Sequence, residues 1–418
     1  MKSLVHLTQQ AVPPSTVVAG VIAVLVGTTS SAAIVFTAAK AAGAPSGELA
    51  SWMLALGVGM GVTSIGLSLR YRAPVVTAWS TPGAAALATG LLGASMAQAV
   101  GAFLVSAALI TLSGLTGWFA RIMDRIPVPL VAGLLAGILV QFGIGLFSAM
   151  HGSFSVVFPM FAVYLMCRRQ LPRYAVLAAL VTGVVAAAVT GSVQLHNVDL
   201  AFATPVFTAP EFSWQVILSA GLPLFAVTMA SQNLAGVAVL RNDGYQVPVS
   251  PLVGWTGAAN LVLAPFGCFG LNLAAITAAM CTGSQAHEDP DKRYLAAVWA
   301  GASYLCLGIF GGTVGSLLTA LPMSLIAGIA GLGLLATIIS SLTSALADVR
   351  WRESAVITFL ATASGVTLLG IGSGFWGLLA GVLTALVTRS RRQGGKPRQA
   401  AVADSSAGHA PGAPKSSA

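Results

Sequence analysis

Charge is scarce in this chain. Only 7% of its 418 residues are Asp, Glu, Lys or Arg, against 56% hydrophobic, and the mean hydropathy is +0.88. A water-soluble domain carries roughly a quarter of its residues charged, so a soluble fold is excluded. The eleven acidic residues are Glu48, Asp124, Asp199, Glu211, Asp243, Glu288, Asp289, Asp291, Asp348, Glu353 and Asp404. All fall at the ends of apolar runs or in loops, so the intramembrane carboxylates that mark many proton carriers are missing. Cysteine is equally sparse. Cys167, Cys268, Cys281 and Cys306 have no paired spacing and no accompanying histidines, which removes a disulfide framework and a zinc site and leaves small packing residues. HExxH, GxSxG and the GxxxxGKS/T phosphate loop are absent, so neither a membrane enzyme nor a nucleotide-driven pump is indicated. No cofactor, metal or catalytic residue is expected.

What is abundant is apolar length. Runs of about 17 to 25 residues recur from Ser15 to Val387, the length an α-helix needs to cross about 30 Å of hydrocarbon. The first, Val17 to Ala39, is too long for a secretory leader and reads as an uncleaved span. The pattern predicts an all-α integral membrane protein of about fourteen spans. They lie near 15–39, 50–69, 74–92, 96–119, 126–148, 152–167 and 174–191, then 212–238, 248–263, 266–282, 294–318, 322–345, 354–371 and 373–388.

The formal net charge of +9 could suggest a nucleic-acid partner, but the basic residues sit in short clusters between spans, not on one face. With the N-terminus inside, Arg70 and Arg72, Arg121 and Arg125, the Arg168–Arg173 group, Arg241, Lys292 and Arg293, Arg350 and Arg352, and Arg389 to Arg392 all fall on the cytoplasmic side; only Lys40 falls outside. The positive-inside rule asks for that asymmetry, and it puts both termini in the cytoplasm. The tail 389–418, rich in Pro, Gly, Ser and Ala without apolar period, is expected to be a disordered cytoplasmic segment.

The halves of 1–388, about 15–191 and 212–388, resemble each other. IPVPLVAGLLAG (126–137) recurs as LPMSLIAGIAGL (321–332), pairing Pro127 with Pro322 and Ala132–Gly133 with Ala327–Gly328. Repeats with an odd number of spans insert in opposite orientations, the inverted-repeat plan of secondary transporters.

Two spans break this apolar pattern. In VTAWSTPGAAAL (76–87) a β-branched, extended-biased half gives way to a helical half, with Ser80 or Thr81 at an N-cap position and Pro82 and Gly83 opening the helix. Its counterpart, APFGCFGLNLAAITAAMCTG (264–283), changes in the same way, with Asn272 as the N-cap type. Two half-helices then start near the midplane with their positive ends together, a site for a small anion. The candidate ligand residues are Ser30, Ser31, Trp79, Ser80, Thr81, Pro82, Gly83, Gln232, Asn233, Phe269, Gly270, Leu271, Asn272 and Leu273, with Trp79 and Phe269 offering rings to a flat ligand. Gln141 and Asn260 read as structural.

At these residues the chain resembles a known family. SSAAI (30–34), YRAPVVTAWSTPGAAAL (71–87), LPLFAVTMASQNLAGVAVL (222–240), GYQVPVSPL (244–252), LNLAAITAAMCTG (271–283) and TASGVTLLGIGSGFWGLLAG (362–381) are similar to the bacterial benzoate:proton symporter family, BenE, across 10–388. The resemblance implies a fold related to the uracil and sulfate transporters, with a core from spans 1–4 and 8–11 and a gate from spans 5–7 and 12–14. It implies import of benzoate or a similar aromatic carboxylate with protons across a bacterial inner membrane, by alternating access, and carries homodimerisation as an expectation. The glutamates of nucleobase relatives in spans 8 and 10 are absent here, which suits an anion better than a neutral pyrimidine. With no buried carboxylate or histidine, the substrate carboxyl itself is the expected proton carrier. The competing reading is an uncoupled channel or exchanger for other small anions on the same fold.

Overall fold

A computed structural model describes residues 13–117, 127–192, 200–369 and 371–394. Asp124, His196, Asp199 and most of the predicted tail lie outside those residues, as do the side chains of Ser30, Arg173, Asn242 and 389–394.

Among the described residues, the regular structure is helical apart from two three-residue strands. The first half gives α1 (Pro14–Ala41), α2 (Ser46–Tyr71), β1 (Thr77–Trp79), α3 (Thr81–Gly90), α4 (Met96–Leu115), α5 (Val128–Gly152), α6 (Phe154–Gln170) and α7 (Ala175–Val189). The second gives α8 (Trp214–Arg241), α9 (Val249–Leu263), β2 (Leu271–Leu273), α10 (Ile276–Thr282), α11 (Tyr294–Ile309), α12 (Gly311–Ala320), α13 (Met323–Ala347), α14 (Arg352–Ala363) and α15 (Ser373–Gly394). Among the described residues, six helices are long and apolar enough to cross a membrane, and up to eight spans result when each bent helix pair is taken as one; the chain is a multi-pass membrane protein. One of those pairs, α11 with α12, bends by 66° inside the single span expected at 294–318. α15 continues to Gly394, past the expected start of the tail at Arg389.

Membrane helices pack where small residues let backbones meet. Gly57 of α2 abuts Gly308 of α11, where an added Cβ would lie 2.5 Å from the Gly308 Cα. Gly114 of α4 abuts Gly254 of α9 in the same manner, at 2.3 Å from the Gly254 nitrogen. α5 packs along α13, α14 on both α5 and α15, α6 on α7, and α13 on α6.

The strands meet at the centre. β1 and β2 are antiparallel with Thr77 opposite Leu273, Ala78 opposite Asn272 and Trp79 opposite Leu271, extended by Ala274 N–H to Val76 O and Ser80 N–H to Gly270 O, each 2.9 Å. Non-helical backbone at this depth needs every N–H and C=O partnered by protein. The outer edge of β1 is served by α2: Thr77 N–H donates to Ser64 Oγ (2.9 Å), Thr77 Oγ1 donates to Met60 O (3.0 Å), and Ser68 Oγ donates to Val75 O (2.9 Å). The outer edge of β2 is served by α8, where Asn233 Oδ1 accepts from Leu273 N–H at 2.9 Å. A two-stranded ribbon is thus sealed by side chains from two flanking helices.

The glycine contacts are testable. Gly57→Ala puts a methyl against backbone that cannot move aside, and overpacking of this kind costs about 1–3 kcal/mol. The melting temperature of the detergent-purified protein should fall by several degrees, whereas Gly47→Ala, which meets open space, should leave it unchanged or raise it.

Candidate functional site

A cavity of about 480 Å³ opens beside the paired strands. One wall is the end of β1 and the start of α3, with Trp79, Thr81 and Pro82. α1 adds Gly27, Thr28 and Ser31, α8 adds Ser231 and Gln232, and the start of α10 adds Ala275 to Thr277. Facing these, α5 presents Val131 and Leu135, while α13 presents Thr337, Ser340, Ser341 and Ser344. No charged side chain lines the cavity among the described residues.

Ser80 caps α3 as the sequence predicts. Its Oγ accepts from Gly83 N–H at 3.0 Å and its carbonyl accepts from Ala84 N–H at 2.7 Å. Since Pro82 has no N–H, Thr81 alone keeps an amide in that first turn with no partner among the described residues. α10 differs from expectation. Asn272 is not its N-cap: it sits inside β2, opposite Ala78, and the helix starts at Ile276 after Ala275 with no side-chain cap. Strand pairing wins over the capping preference because an unpaired strand is untenable at this depth. Asn272 Nδ2 donates to Gly270 O (2.9 Å), and its Oδ1 is buried without a partner among the described residues.

Of the candidates, Ser31, Trp79, Thr81, Pro82 and Gln232 come together on the cavity wall. Trp79 Nε1–H donates to Ser31 Oγ at 2.8 Å, and Ser31 Oγ donates to Gly27 O at 2.8 Å, so the Ser31 proton is committed to Gly27 O while its oxygen orients the indole. Ser30 lies on the same helix, with its side chain outside the described set. Ser80, Gly83, Asn233, Phe269, Gly270, Leu271, Asn272 and Leu273 do not line the cavity. Gly83 lets α3 approach Leu224, and Gly270 takes a positive φ of 54° where the chain turns into β2. Phe269 is fully buried with Trp52 and Phe103, ring centroids 5.3 to 5.7 Å apart, so its ring belongs to the core behind the strands.

Gln232 and Asn233 divide their work. Both lie in a π-helical turn, Thr228–Asn233, and as neighbours on a helix they face different ways, Asn233 to β2 and Gln232 to the cavity. Sequence reasoning missed Thr277, Tyr304 and the α13 hydroxyls. The last carried a readable signal, because positions 337, 340, 341 and 344 follow helical spacing on one face of an apolar helix.

The model of the family described as benzoate membrane transport protein, BenE, matches residues 10–387. The chain belongs to the BenE family. Among curated relatives of this BenE protein, the inner membrane protein YdcO of Escherichia coli is 49% identical over 91% of this chain and 98% of the relative. The benzoate membrane transport protein of Acinetobacter baylyi is 40% identical over 93% and 98%. The BenE protein is therefore a membrane transporter, and its family is not one of enzymes. In fold it is similar to the structure of SLC26A9, with a TM-score of 0.61 at 15% identity over 90% of this chain and 66% of that one. It is also similar to the transmembrane domain of the cyanobacterial bicarbonate transporter BicA, with a TM-score of 0.53 at 14% identity over 89% and 97%.

The division between the two amides predicts a separation of phenotypes in the BenE protein. Asn233→Ala orphans a buried strand N–H, costs about 1–3 kcal/mol and should lower the melting temperature. Gln232→Ala should leave melting unchanged while reducing transport, so thermal scanning and uptake on the same two variants check the assignment.

Proposed function

We propose that this protein imports benzoate or a similar aromatic carboxylate together with protons, by alternating access around the cavity beside β1 and β2. The observation that carries the reading is a cavity with a flat aromatic at one wall, hydroxyl and amide groups at another, and no charged side chain among the described residues. The ring packs against Trp79 and the apolar face of α5 at Val131 and Leu135. The carboxyl end turns to the polar wall of the cavity, to which Thr81 and Gln232, selected by the sequence as well, also belong. The names of the family and of the Acinetobacter relative agree with this substrate.

The architecture proposed is two inverted repeats of about seven spans, about 15–191 and 212–388, with a core from spans 1–4 and 8–11 and a gate from the rest. Its support is a packing pattern that survives exchange of the halves. α2 on α11 becomes α9 on α4, α6 on α7 becomes α14 on α15, and α5 on α14 becomes α13 on α6; α5 on α13 and β1 on β2 exchange with themselves. The glycine pair Gly57–Gly308 matches Gly254–Gly114. Gly133 and Gly328, equivalent in sequence, both make close contacts: Gly133 meets Ala355 and Gly328 meets Met160.

With both termini cytoplasmic in the inner membrane, the cavity reaches the cytoplasmic ends of its helices, from Val128 at the start of α5 to Ser344 near the end of α13. The form described is then inward-open. On the other side of the midplane Gly331 closes on Phe142 and Leu146, an apolar seal.

Energy decides the role of protons. Importing an anion against an interior-negative potential costs about 2.3 kcal/mol per charge per 100 mV. An unpaired carboxylate in a site without a cation costs several kcal/mol in desolvation. Protonating a carboxyl of ordinary pKa, near about 4, at neutral pH costs about 4 kcal/mol, which is comparable, and it removes the electrical work as well. The substrate is therefore the proton carrier in this proposal.

Proteoliposomes with an acidic exterior should accumulate labelled benzoate above equilibrium, alkalinise the medium, and lose the gradient to a protonophore. Uptake that never exceeds equilibrium would favour the uncoupled anion pathway. Trp79→Leu should weaken benzoate about fivefold, the worth of an aromatic contact of about 1 kcal/mol, with little change for a non-aromatic competitor.

A further inference from the structure

Thr28, Thr277 and Tyr304 reach the cavity from three different helices, α1, α10 and α11. They are almost fully enclosed, with 7%, 4% and 2% of their surface exposed. A threonine in a helix ordinarily returns its hydroxyl to the preceding turn, as Thr29 does to Leu25 O at 2.8 Å. Thr28 Oγ1 does not, and it has no hydrogen-bond partner among the described residues. Thr277 Oγ1 faces the Tyr304 hydroxyl and likewise has no hydrogen-bond partner among the described residues. Gly27 lets α1 come close to both: a Cβ there would stand 2.7 Å from Thr277 Cγ2 and 3.7 Å from the Tyr304 hydroxyl.

Hydroxyls that are buried and unpaired beside a cavity are costly unless a ligand completes them. The chemistry of that ligand follows from what a hydroxyl can do. A carboxylate only accepts, and is best met by cations or a row of N–H donors; a carboxylic acid presents one accepting oxygen and one donating O–H, and needs a partner of each kind. Each of these three hydroxyls can serve either way, and no cation lines the cavity among the described residues.

We propose that Thr28, Thr277 and Tyr304 form the subsite for the protonated carboxyl of the substrate, with the Tyr304 O–H donating to the acid's carbonyl oxygen and a threonine Oγ1 accepting from the acid's O–H. The carboxylate takes one proton from the outer solution before it is enclosed, and the acid gives that proton up when it ionises in the cytoplasm. One proton thus crosses with each substrate, without a titrating side chain in the protein. The subsite rests on the aromatic-acid reading above.

Benzamide separates the two ideas, because it has the shape of benzoic acid, an accepting oxygen and N–H donors, and no charge. In counterflow of labelled benzoate by the purified, reconstituted wild type, benzamide should compete, while nitrobenzene, which only accepts, should not. In Tyr304→Phe and Thr28→Val the benzamide inhibition constant should rise about tenfold, as expected for loss of one well-placed hydrogen bond in an enclosed site. Benzoate exchange that benzamide does not touch, or variants that bind benzamide as the wild type does, overturns the subsite and leaves the substrate reading standing. A wild type that exchanges no benzoate removes both.

Discussion

The antiparallel pairing of β1 with β2 is the constraint on which the rest depends. Extended backbone inside a membrane is stable only when both edges of each strand are hydrogen-bonded within the protein. Here each strand seals the other along one edge, and α2 and α8 seal the remaining edges through Ser64, Ser68 and Asn233. Because the strands are short, α3 and α10 must begin beside them, so two helix starts and their uncommitted amides come to the same depth. The cavity is the space left next to that junction, closed on its far side by α5 and α13.

Neutrality follows from the same arrangement. With the acidic residues at helix ends and in loops, and none on the cavity wall among the described residues, the walls supply dipoles and hydroxyls in place of charge. A site of that kind holds a small acid through hydrogen bonds whose balance depends on the acid's own protonation state. Coupling to protons then needs no buried carboxylate in the chain, which makes the proposed proton-driven uptake compatible with the scarcity of ionisable groups in the spans. Hydroxyl-lined α13 toward one face and the apolar contact of Gly331 with Phe142 and Leu146 toward the other give the cavity a wet side and a sealed one.

Much of this fold was legible in the sequence because hydrophobic length and small-residue spacing are local signals. The broken helix at Ser80–Gly83 was read correctly from its cap residue and Pro82, since capping chemistry is decided within one turn. Asn272 misled for the opposite reason: its capping preference is local, but its place is set by Ala78, almost two hundred positions away, through strand pairing. Phe269 misled likewise, because nothing in its neighbourhood announces Trp52 and Phe103 behind it. Gln232 and Asn233 are adjacent and chemically alike, and only the packing of α8 against β2 decides which faces the sheet and which the cavity. Tyr304 carried no pattern at all; its role appears only when α11 is seen beside Gly27.

The most direct measurement is a structure of the protein determined with benzoate bound. The account predicts a flat ligand in the cavity beside the β1–β2 junction, its ring against Trp79 and its carboxyl on the polar wall. Ligand density elsewhere in the protein, with this cavity holding only solvent at saturating benzoate, would contradict it.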